Sequence, residues 1–482
     1  MNTMASLQQA RRWLADARLL GAGEVNFARV HTDSRSIEPG DLFVALQGDK
    51  FDASAFMQEA RDKGAVAAIC QFEAEDRLRA SALPGLLVSN TRQALAALAH
   101  GWRSQFKLPL IAVTGSNGKT TVTQMIATIL DAFRPQGWLA TRGNFNNDIG
   151  VPLTLLRLRR EHEIAVIELG MNHPGEIATL AALAQPTVAL VNNAQREHLE
   201  FMTTVAAVAR ENGAVISALG TSGVAVFPAN DAYSATWQEM AGSRVQSCFG
   251  LDYELMVPPP ERPVLAGRPD VLCTKANWSG NAWQVRVQTA HGELRYALHV
   301  AGLHNVKNSL AAAACALAAG VSLAAVALGL TRFEPVPGRS RATLVQHAGR
   351  NITLVDDSYN ANPDSVIAAI ELLAALPEPR LLVLGDMGEV GEQSAQYHAE
   401  ALRCAINKNI QMVLVTGTAF AQAAMKFEAI QSETTIHALT QAVLATLPQA
   451  ASVLVKGSRF MKMEQVVQAV LAATSLPREE IC

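Results

Sequence analysis

The chain contains 482 residues, of which 49% are hydrophobic and 17% charged, and its formal net charge at pH 7 is −3. This length suggests two to four domains, and the composition is that of an ordinary globular protein. The chain has no excess of positive charge to attract phosphate backbones, so nucleic acid is not an expected partner. The six cysteines are scattered without metal-ligand spacing, and the N-terminus has no apolar core of the signal-peptide type. Free thiols and a cytoplasmic location are therefore expected.

The first hundred residues predict a mixture of short strands and helices. Residues 41–46 are typical of a strand that follows a Pro39-Gly40 turn. Residues 53–63 predict a helix, and residues 65–69 predict the next strand. This part of the chain is therefore expected to form a small mixed α/β unit.

A glycine-rich turn lies between an apolar run at 108–113, which predicts a buried strand, and residues 122–130, which predict a helix. The turn consists of Thr114, Gly115, Ser116, Asn117, Gly118, Lys119, Thr120 and Thr121. Such a turn directs backbone N–H groups at a phosphate, with Lys119 near the β- and γ-phosphates and the Thr120 hydroxyl on Mg²⁺. Val113 stands where the usual first glycine would be, which indicates a shorter phosphate loop. The alternative is a glycine turn beside a surface lysine.

Two later strands are predicted to bring polar side chains to the edge where this loop opens. Residues 163–168 end in Glu168, and residues 187–191 are followed after a short interval by His198. Ligands of open α/β sheets bind at the carboxyl ends of the strands, so Glu168 is a candidate Mg²⁺ ligand and His198 a second candidate ligand. A solvated strand-end acid and a structural histidine are the alternatives.

The sequence pattern changes at 243–300. Strands predicted at 283–288 and 294–298 flank a tight turn, as in an antiparallel hairpin. Three prolines at 258–260 predict a loop. The uncharged stretch at 310–330 has the length of a membrane span. It is mostly alanine, however, and a glycine and a serine near its middle are typical of a helix stop and a new cap. Two packed helices are predicted, and no membrane span.

His304, Asn305 and Asn308 lie close together just before this alanine-rich stretch. Their side chains could stack on an adenine and hydrogen-bond to it, or they could cap the following helix. Their spacing in the sequence does not choose between these two roles.

A linker at 334–339 leads into a third unit with a regular alternation of strands and helices. Its strands are predicted at 352–355, 381–384, 412–415 and 453–455. The alternation predicts a parallel, doubly wound sheet, and the absence of G-x-G-x-x-G argues against a dinucleotide. Residues 356–363 place acidic and amide side chains at the end of the first strand. These side chains could form a ligand-binding edge, or they could stabilise a turn.

These motifs resemble the Mur ligase family, the ATP-dependent amide-forming enzymes of peptidoglycan precursor synthesis, over nearly the whole chain. The family's phosphate loop, T-G-[ST]-N-G-K-T, matches residues 114–120. The resemblance implies that Glu168 and His198 bind two Mg²⁺ ions and that Arg339 reaches the ATP phosphates. It also implies that Asp357 contacts the ribose. The family's adenine-contacting motif, H-N-x-x-N, is matched by His304, Asn305 and Asn308.

Further signatures are closest to the family member that joins D-alanyl-D-alanine to a UDP-N-acetylmuramoyl tripeptide. They lie at 143–152, 357–362, 385–389 and 455–459. The implied reaction passes through an acyl phosphate and gives the UDP-linked pentapeptide, ADP and phosphate, with ATP as co-substrate and Mg²⁺ as cofactor. The implied UDP-substrate contacts are Ser34, Arg35, Asn144 and Asn146, and the implied acceptor contacts are Asn360, Asn362, Ser458 and Arg459.

The implied fold is α/β with three domains and is expected to be monomeric. A small mixed α/β N-terminal domain covers 1–107, a central P-loop ATPase-type domain with an antiparallel β addition covers 108–334, and a C-terminal Rossmann-like domain covers 335–482. One alternative is a related ligase that adds another amino acid, such as meso-diaminopimelate, although the D-N-P-R acceptor motif of that sister enzyme does not occur here. The other is a non-enzymatic, nucleotide-gated interaction protein.

One position departs from the family pattern. Many members carry a lysine in the helix after His198, and its carbamate binds the second Mg²⁺. The corresponding residue here is Asn212. Asparagine cannot form a carbamate, so this part of the family mechanism does not transfer to the chain.

Overall fold

The computed structural model describes residues 3–48, 51–252 and 269–475. The loop predicted at 258–260 and the cysteine at position 482 lie outside the described residues. Three large sheets, each formed by a separate part of the chain, organise the molecule. Within the part of the chain that the structure describes, the other five cysteines are free thiols, as the sequence predicts.

The first region forms a five-stranded sheet and a two-stranded ribbon. Its strands are β1 (Ala5–Ser6), β2 (Arg18–Leu20), β3 (Asn26–Phe27), β4 (Arg29–His31), β5 (Asp41–Val44), β6 (Ala67–Gln71) and β7 (Gly85–Val88). Its helices are α1 (Leu7–Trp13), α2 (Met57–Asp62), α3 (Glu75–Ala80) and α4 (Thr91–Arg103). The sheet order is β2-β7-β6-β5-β4, and only β2 runs antiparallel to its neighbour. The expected mixed α/β unit is confirmed.

The central region forms a nine-stranded sheet in the order β16-β15-β14-β13-β12-β11-β8-β10-β9. Its strands are β8 (Leu110–Thr114), β9 (Trp138–Ala140), β10 (Ile164–Glu168), β11 (Val188–Val191), β12 (Val224–Pro228), β13 (Val245–Leu251), β14 (Val271–Trp278), β15 (Trp283–Thr289) and β16 (Gly292–Leu298). Its helices are α5 (Lys119–Phe133), α6 (Gly150–Leu155), α7 (Glu176–Ala184), α8 (Leu199–Met202), α9 (Val205–Ser217), α10 (Ser234–Ala241), α11 (Leu303–Ala318) and α12 (Leu323–Arg332). The strands from β9 to β14 are parallel, and β15 and β16 extend the sheet antiparallel. The predicted hairpin is thus confirmed.

Strand β8 lies at the point where the connections of the central sheet change direction. It pairs with β10 on one side and with β11 on the other, and the chain crosses over it between those two strands. Open α/β sheets leave a crevice at such a switch point, outside the carboxyl ends of the strands. Glu168 lies opposite Val113 in this register, so the predicted metal ligand and the glycine-rich turn emerge at one edge.

The alanine-rich stretch is two helices, α11 and α12, as the sequence predicts. Gly320, with a φ of +85°, turns the chain between them, and the Ser322 hydroxyl accepts the N–H of Ala325 as an N-cap. The small side chains let α11 and α12 pack closely on α5. In the described ranges, no helix is both long and apolar enough to cross a membrane.

The third region forms a six-stranded sheet in the order β17-β18-β22-β19-β20-β21. Its strands are β17 (Arg341–His347), β18 (Arg350–Asp357), β19 (Arg380–Gly385), β20 (Met412–Thr416), β21 (Ile430–Glu433) and β22 (Ser452–Lys456). Its helices are α13 (Pro363–Ala374), α14 (Ser394–Asn407), α15 (Thr418–Ala424), α16 (Ile436–Thr446) and α17 (Glu464–Ala472). The four strands expected from the sequence are confirmed as parallel neighbours, and the structure adds the edge strand β17, which pairs antiparallel with β18. Most residues of β17 are at least partly exposed, so an apolar run does not mark it.

The first and central regions share one hydrophobic core. Helix α4 packs against α6 and α7, and its buried residues Leu95 and Leu98 belong to the same cluster as Leu155. The indole N–H of Trp102 donates to the carbonyl of Leu158 at 3.1 Å. We call this contact the apolar joint.

The central and third regions meet largely through charged and amide side chains. The Arg196 guanidinium lies 2.7 Å from an Asp364 oxygen and 2.8 Å from a Glu400 oxygen. The side-chain amide of Asn362 donates to the Asn117 side-chain oxygen at 2.9 Å. We call this contact the polar joint. It lies directly beside the glycine-rich turn.

Candidate active site

The glycine-rich turn has the backbone geometry of a phosphate loop. Gly115 and Gly118 have φ values of +131° and +82°, which favour glycine, and α5 begins immediately afterwards at Lys119. A Cβ atom on Gly118 would lie only 2.4 Å from the side-chain oxygen of Asn308. The loop therefore needs glycine both for its backbone angles and for this close approach. Its first N–H groups and the N-terminal end of α5 favour a bound anion.

Lys119 lies over the loop rather than in solvent. Its ammonium group donates to the carbonyls of Gly115 at 2.6 Å and Ser116 at 3.2 Å, and it pairs with the Glu197 carboxylate at 2.7 Å. Both members of this ion pair are largely buried. The lysine expected to contact the phosphates is therefore in place and has a resident carboxylate beside it.

Glu168 is 1% exposed at the end of β10. Its Oε1 atom accepts the Thr120 hydroxyl at 3.1 Å and the Asn146 amide at 2.8 Å. Within the described part of the chain, its Oε2 atom has no hydrogen-bond partner although it is sealed from solvent. A buried carboxylate oxygen without a donor, next to a hydroxyl, fits a hard divalent cation such as Mg²⁺.

No cluster of three or more His, Cys, Asp and Glu side chains among the described residues could hold a metal alone. This agrees with the way in which Mg²⁺ is usually bound, through one or two carboxylates, waters and the oxygens of substrate phosphates. Glu168 and Thr120 can therefore supply the protein's share of such a site without a complete cage.

Asn212 lies on α9, is 1% exposed and faces the back of the loop. Its side-chain oxygen accepts the Gly115 N–H at 2.9 Å, and its backbone carbonyl accepts the Thr114 hydroxyl at 3.3 Å. Its side-chain amide donates to the Val208 carbonyl at 3.2 Å. Asn212 therefore braces the phosphate loop from behind, and both ends of its amide are occupied within the protein.

A chain of amide side chains links the loop to the predicted adenine motif. Asn192 donates to the Asn117 carbonyl at 2.8 Å and to the Asn308 side-chain oxygen at 3.0 Å. Asn308 in turn donates to the Asn305 side-chain oxygen at 3.0 Å. Asn305 and Asn308 are buried, so these bonds are shielded from water. They hold the start of α11 against the loop.

His304 adjoins this chain of amides and faces the third sheet. Burial lowers its pKa to about 4, because the charged imidazolium is poorly solvated there. The Asp357 carboxylate opposes this shift, whereas the cationic Lys456 and Lys307 add to it. The ring is therefore neutral at neutral pH and suits stacking on an uncharged base.

The segment 195–198 faces in two directions. Gln195 accepts the Asn117 side-chain amide at 2.6 Å, and Glu197 pairs with Lys119 in the phosphate loop. Arg196 and His198 face the third region instead, where Arg196 pairs with two carboxylates and the His198 ring is hydrogen-bonded to Glu389. The hydrogen bond from His198 lowers the pKa of Glu389. Burial alone would lower the pKa of Arg196, but its carboxylate partners outweigh burial and raise it.

The strand ends of the third sheet complete the site. Lys456, at the end of β22, lies 2.6 Å from the Asp357 carboxylate at the end of β18 and donates to the Asn360 carbonyl at 2.9 Å. Arg339 in the linker lies over the Tyr359 ring, with 4.2 Å between the guanidinium carbon and the ring centre. Linker and strand ends thus form one wall opposite the phosphate loop.

A single cavity of about 1340 Å³ lies between these walls. The predicted site residues that line it are Ser116, Asn117, Gly118, Lys119, Thr120, Thr121, Asn144, Asn146, Glu168, His198, His304, Asn305, Asn308, Arg339, Asp357, Asn360, Asn362, Ser458 and Arg459. Thr114 and Gly115 lie behind the lining as part of the loop. Ser34 and Arg35 belong to the first region and are not in this lining, and Arg35 pairs with Asp33 at 2.7 Å.

The chain matches three family descriptions in order. They are "Mur ligase family, catalytic domain" at residues 26–103, "Mur ligase middle domain" at 113–316 and "Mur ligase, glutamate ligase domain" at 340–459. The UDP-N-acetylmuramoyl-tripeptide–D-alanyl-D-alanine ligase of Escherichia coli (strain K12) is 38% identical over 460 residues, which are 95% of this chain and 96% of that relative.

The chain belongs to the Mur ligase family. Among solved structures, MurF from Acinetobacter baumannii matches this Mur ligase with a TM-score of 0.85 and 32% identity, over 98% of this chain and 99% of that one. A MurF ligase from Thermotoga maritima, solved in complex with ADP, matches with a TM-score of 0.76 and 25% identity, over 92% and 97% of the two chains. The three-domain α/β fold expected from the sequence is confirmed.

Several charged residues in or beside the cavity of this Mur ligase have no role assigned from the sequence. Glu197 and Arg196 are neighbours of His198, but a one-residue step along an irregular segment does not reveal which way a side chain points. Lys456 lies within a family-like signature, yet its partner Asp357 is 99 positions earlier. A search for charged residues just before His198 and inside the last strand signature could have found all three.

Proposed function

We propose that this Mur ligase joins D-alanyl-D-alanine to a UDP-N-acetylmuramoyl tripeptide at the expense of ATP, giving the UDP-linked pentapeptide of peptidoglycan synthesis, ADP and phosphate. One observation carries the proposal. A single cavity has the phosphate loop on one wall and the strand ends of the third sheet on the other. A phosphorylated carboxylate and an incoming amine can therefore meet within it. The full-length similarity to the D-alanyl-D-alanine ligase of Escherichia coli and to MurF of Acinetobacter baumannii supports the choice of substrates.

The chemistry requires an activated carboxylate, because a free carboxylate is a poor electrophile. An oxygen of the tripeptide carboxylate takes the γ-phosphoryl group, and ADP leaves. The amine of D-alanyl-D-alanine then attacks the carbonyl carbon, the C–N bond forms, the C–O bond to phosphate breaks, and the nitrogen loses a proton. Such transfers depend on positioning and on neutralisation of charge.

The proposed charge neutralisation comes from residues around the loop. Lys119 and Arg339 bring positive charge to the phosphates, and Glu168, Thr120 and His198 would hold Mg²⁺. When bound, Mg²⁺ neutralises phosphate oxygens and fixes their orientation. Lys119 already lies against the loop carbonyls and needs only to exchange its carboxylate partner for phosphate oxygens.

The remaining predicted contacts are proposals of the same kind. The loop from Thr114 to Thr121 would bind the phosphates, and His304, Asn305, Asn308 and Asp357 would bind the adenosine. The UDP substrate would contact Ser34, Arg35, Asn144 and Asn146, and the acceptor would contact Asn360, Asn362, Ser458 and Arg459. We also propose domain boundaries near 107/108 and 334/335, a monomeric state and a cytoplasmic location.

The test is to mix the protein with ATP, Mg²⁺, the UDP-linked tripeptide and D-alanyl-D-alanine and to identify the product by mass. The pentapeptide is expected, with D-alanine and meso-diaminopimelate as poor acceptors. Lys119→Ala should lower turnover by about two orders of magnitude or more through lost charge stabilisation. Lys107→Ala, at an exposed lysine outside the cavity, is the matched control.

Two other outcomes would replace the proposal. A preference for meso-diaminopimelate would assign the chain to a related ligase with another acceptor. A failure to release phosphate with every acceptor, despite nucleotide binding, would favour a nucleotide-gated interaction protein. Near-normal turnover of Lys119→Ala would remove the phosphate-loop assignment itself.

A further inference from the structure

Glu197 has a buried carboxylate, one oxygen of which lacks a hydrogen-bond partner among the described residues. The residue is 7% exposed, and its Oε1 atom lies 2.7 Å from the Lys119 ammonium and 3.6 Å from Nε2 of His198. Across the described residues, its Oε2 atom finds no hydrogen-bond donor although it is sealed from solvent. Buried polar atoms are nearly always satisfied, and such exceptions need a physical explanation.

Glu197 has a counterpart on the other side of the loop. Glu168 also has a sealed Oε2 atom without a partner, and its Oε1 atom accepts the Thr120 hydroxyl. Lys119 and Thr120 are consecutive residues at the start of α5, so the two carboxylates flank the same helix terminus. Of the described residues with unpartnered buried side-chain atoms, these two alone line the large cavity.

The charges at this place do not balance once a nucleotide is bound. Lys119 carries one positive charge and is already paired with Glu197. A triphosphate that approached Lys119 would bring several negative charges to a largely buried carboxylate, where like charges repel strongly. Lys119 alone cannot compensate for both. A divalent cation between Glu197 and the phosphate oxygens removes the repulsion and supplies the partner that Oε2 lacks.

Other nearby groups do not offer this ligand. The Asn212 amide is occupied by the Gly115 N–H and the Val208 carbonyl, so it is turned away from the cavity. His198 is adjacent to Glu197 and lines the cavity, and its Nε2 atom is on the side of the Glu197 carboxylate. Glu389, the other carboxylate beside His198, belongs to the third region and contacts Nδ1, so Glu197 is the carboxylate on the Nε2 side of the ring, next to Lys119.

We propose that Glu197 is a ligand of a second divalent cation that would accompany bound ATP, while Glu168 would hold the first. The inference rests on the proposed use of ATP and deepens it. It assigns the second cation to a side chain of this chain that needs no carbamate. The protein's contribution to each cation is one carboxylate with a hydroxyl or imidazole beside it, and phosphate oxygens complete the coordination.

The test counts bound cations directly. The protein is saturated with the non-hydrolysable analogue adenosine 5′-(β,γ-imido)triphosphate, and Mn²⁺ binding is followed by electron paramagnetic resonance. The wild type is expected to bind two Mn²⁺ ions per chain. Glu197→Gln and Glu168→Gln should each weaken one ion by about tenfold or more, as losses around metal sites typically do. Glu197→Asp should retain two ions with reduced affinity.

Glu464→Gln is the matched control. Glu464 also has a buried Oε2 atom with no partner among the described residues, but it lies outside the large cavity, so two ions should remain. Circular dichroism melts verify that each variant is folded.

Two tightly bound ions in Glu197→Gln would overturn the inference. The same holds if that variant only binds the metal-free analogue more tightly, because Glu197 would then merely compete with phosphate for Lys119. If the wild type failed to bind the analogue at all, the proposed function would fail first, and the inference with it.

Discussion

The two joints of this molecule differ in the side chains that form them, which are apolar in one and charged or polar in the other. The apolar joint merges the first and central regions into one core, in which side chains of α4 pack among those of α6 and α7. The polar joint holds the central and third regions together largely through ion pairs and amide hydrogen bonds, several of them partly exposed. Separating an apolar contact costs free energy roughly in proportion to the apolar area that returns to water. Exposed ion pairs exchange readily with water at little net cost.

This difference places the mobility of the molecule at the polar joint. The cavity lies there, and the two proposed substrates and the nucleotide would have to enter it. Interfaces between domains that are small and polar commonly open and close, whereas large apolar ones do not. The first region is therefore expected to move with the central one, and the third region to move against both.

The largest effect is expected from damage to the apolar joint. Trp102 is 8% exposed and bonds to the Leu158 carbonyl. Trp102→Ala should lower the free energy of unfolding by about 3–5 kcal/mol, as truncations of buried aromatic residues do. Urea unfolding measures the change. Trp278→Ala, at an exposed tryptophan, should cost far less, and equal effects for the two would contradict a shared core at this joint.

A pH change should act next most strongly, through His304 beside the polar joint. The folded pKa of His304 is about 4, below its ordinary value of 6.5. As the pH falls, the unfolded chain therefore binds the proton first, and the free energy of unfolding drops between about pH 6.5 and 4 and is unaffected above that window. The His304 contribution is at most about 3 kcal/mol. Chemical unfolding at several pH values tests this, and His304→Asn should flatten the difference across the window.

Arg196→Ala should affect turnover more than stability. Its ion pairs with Asp364 and Glu400 are partly exposed, so the loss of stability should be about 1 kcal/mol or less. The third region would be held less firmly against the phosphate loop, and kcat/KM for D-alanyl-D-alanine should fall about tenfold, as expected for misplaced reacting groups.

The matched control is Arg134→Ala, which removes an exposed ion pair with Glu163 away from the joint and should leave kcat/KM unchanged. Asp364→Ala combined with Arg196→Ala should be less than additive, because both remove one contact. Strict additivity would mean that Arg196 acts by another route.

Salt should produce the smallest effect. Raising NaCl from about 0.05 to 0.5 M shortens the screening length to a few ångströms, so the exposed pairs of the polar joint weaken and the KM for the acceptor should rise about two- to threefold. Small-angle X-ray scattering should show a larger radius of gyration at high salt. In Arg196→Ala the salt response of KM should be reduced, and an unchanged response would place the sensitivity elsewhere.

The sequence predicts best what is encoded locally. The apolar run before Gly-Lys-Thr correctly predicts β8, the loop and α5, and the glycine–serine interruption correctly predicts α11 and α12. Strand β17 escapes prediction because its residues are largely exposed and its pairing with β18 supplies the order that its own pattern lacks.

The site follows the same division. Loop residues from Ser116 to Thr121 lie next to each other in sequence and in space, so their grouping is predictable. The pairing of Glu197 with Lys119 spans 78 positions, and the bond from Gly115 to Asn212 spans 97. These depend on how β8, β11 and α9 pack, which no local pattern contains. For the same reason, the sequence does not predict that Ser34 and Arg35 lie apart from the cavity lining.

The amide chain from Asn305 through Asn308 and Asn192 to Asn117 works as a template of fixed length. It runs from the predicted adenine motif at the start of α11 to the phosphate loop through consecutive hydrogen bonds between buried or partly buried groups. The ATP proposed to bind here would have both its base and its phosphates positioned by this one hydrogen-bonded chain. A substitution at Asn308 should therefore also change the binding of the phosphates. A side chain at Gly118, whose Cβ would clash with Asn308, should also change the binding of the base.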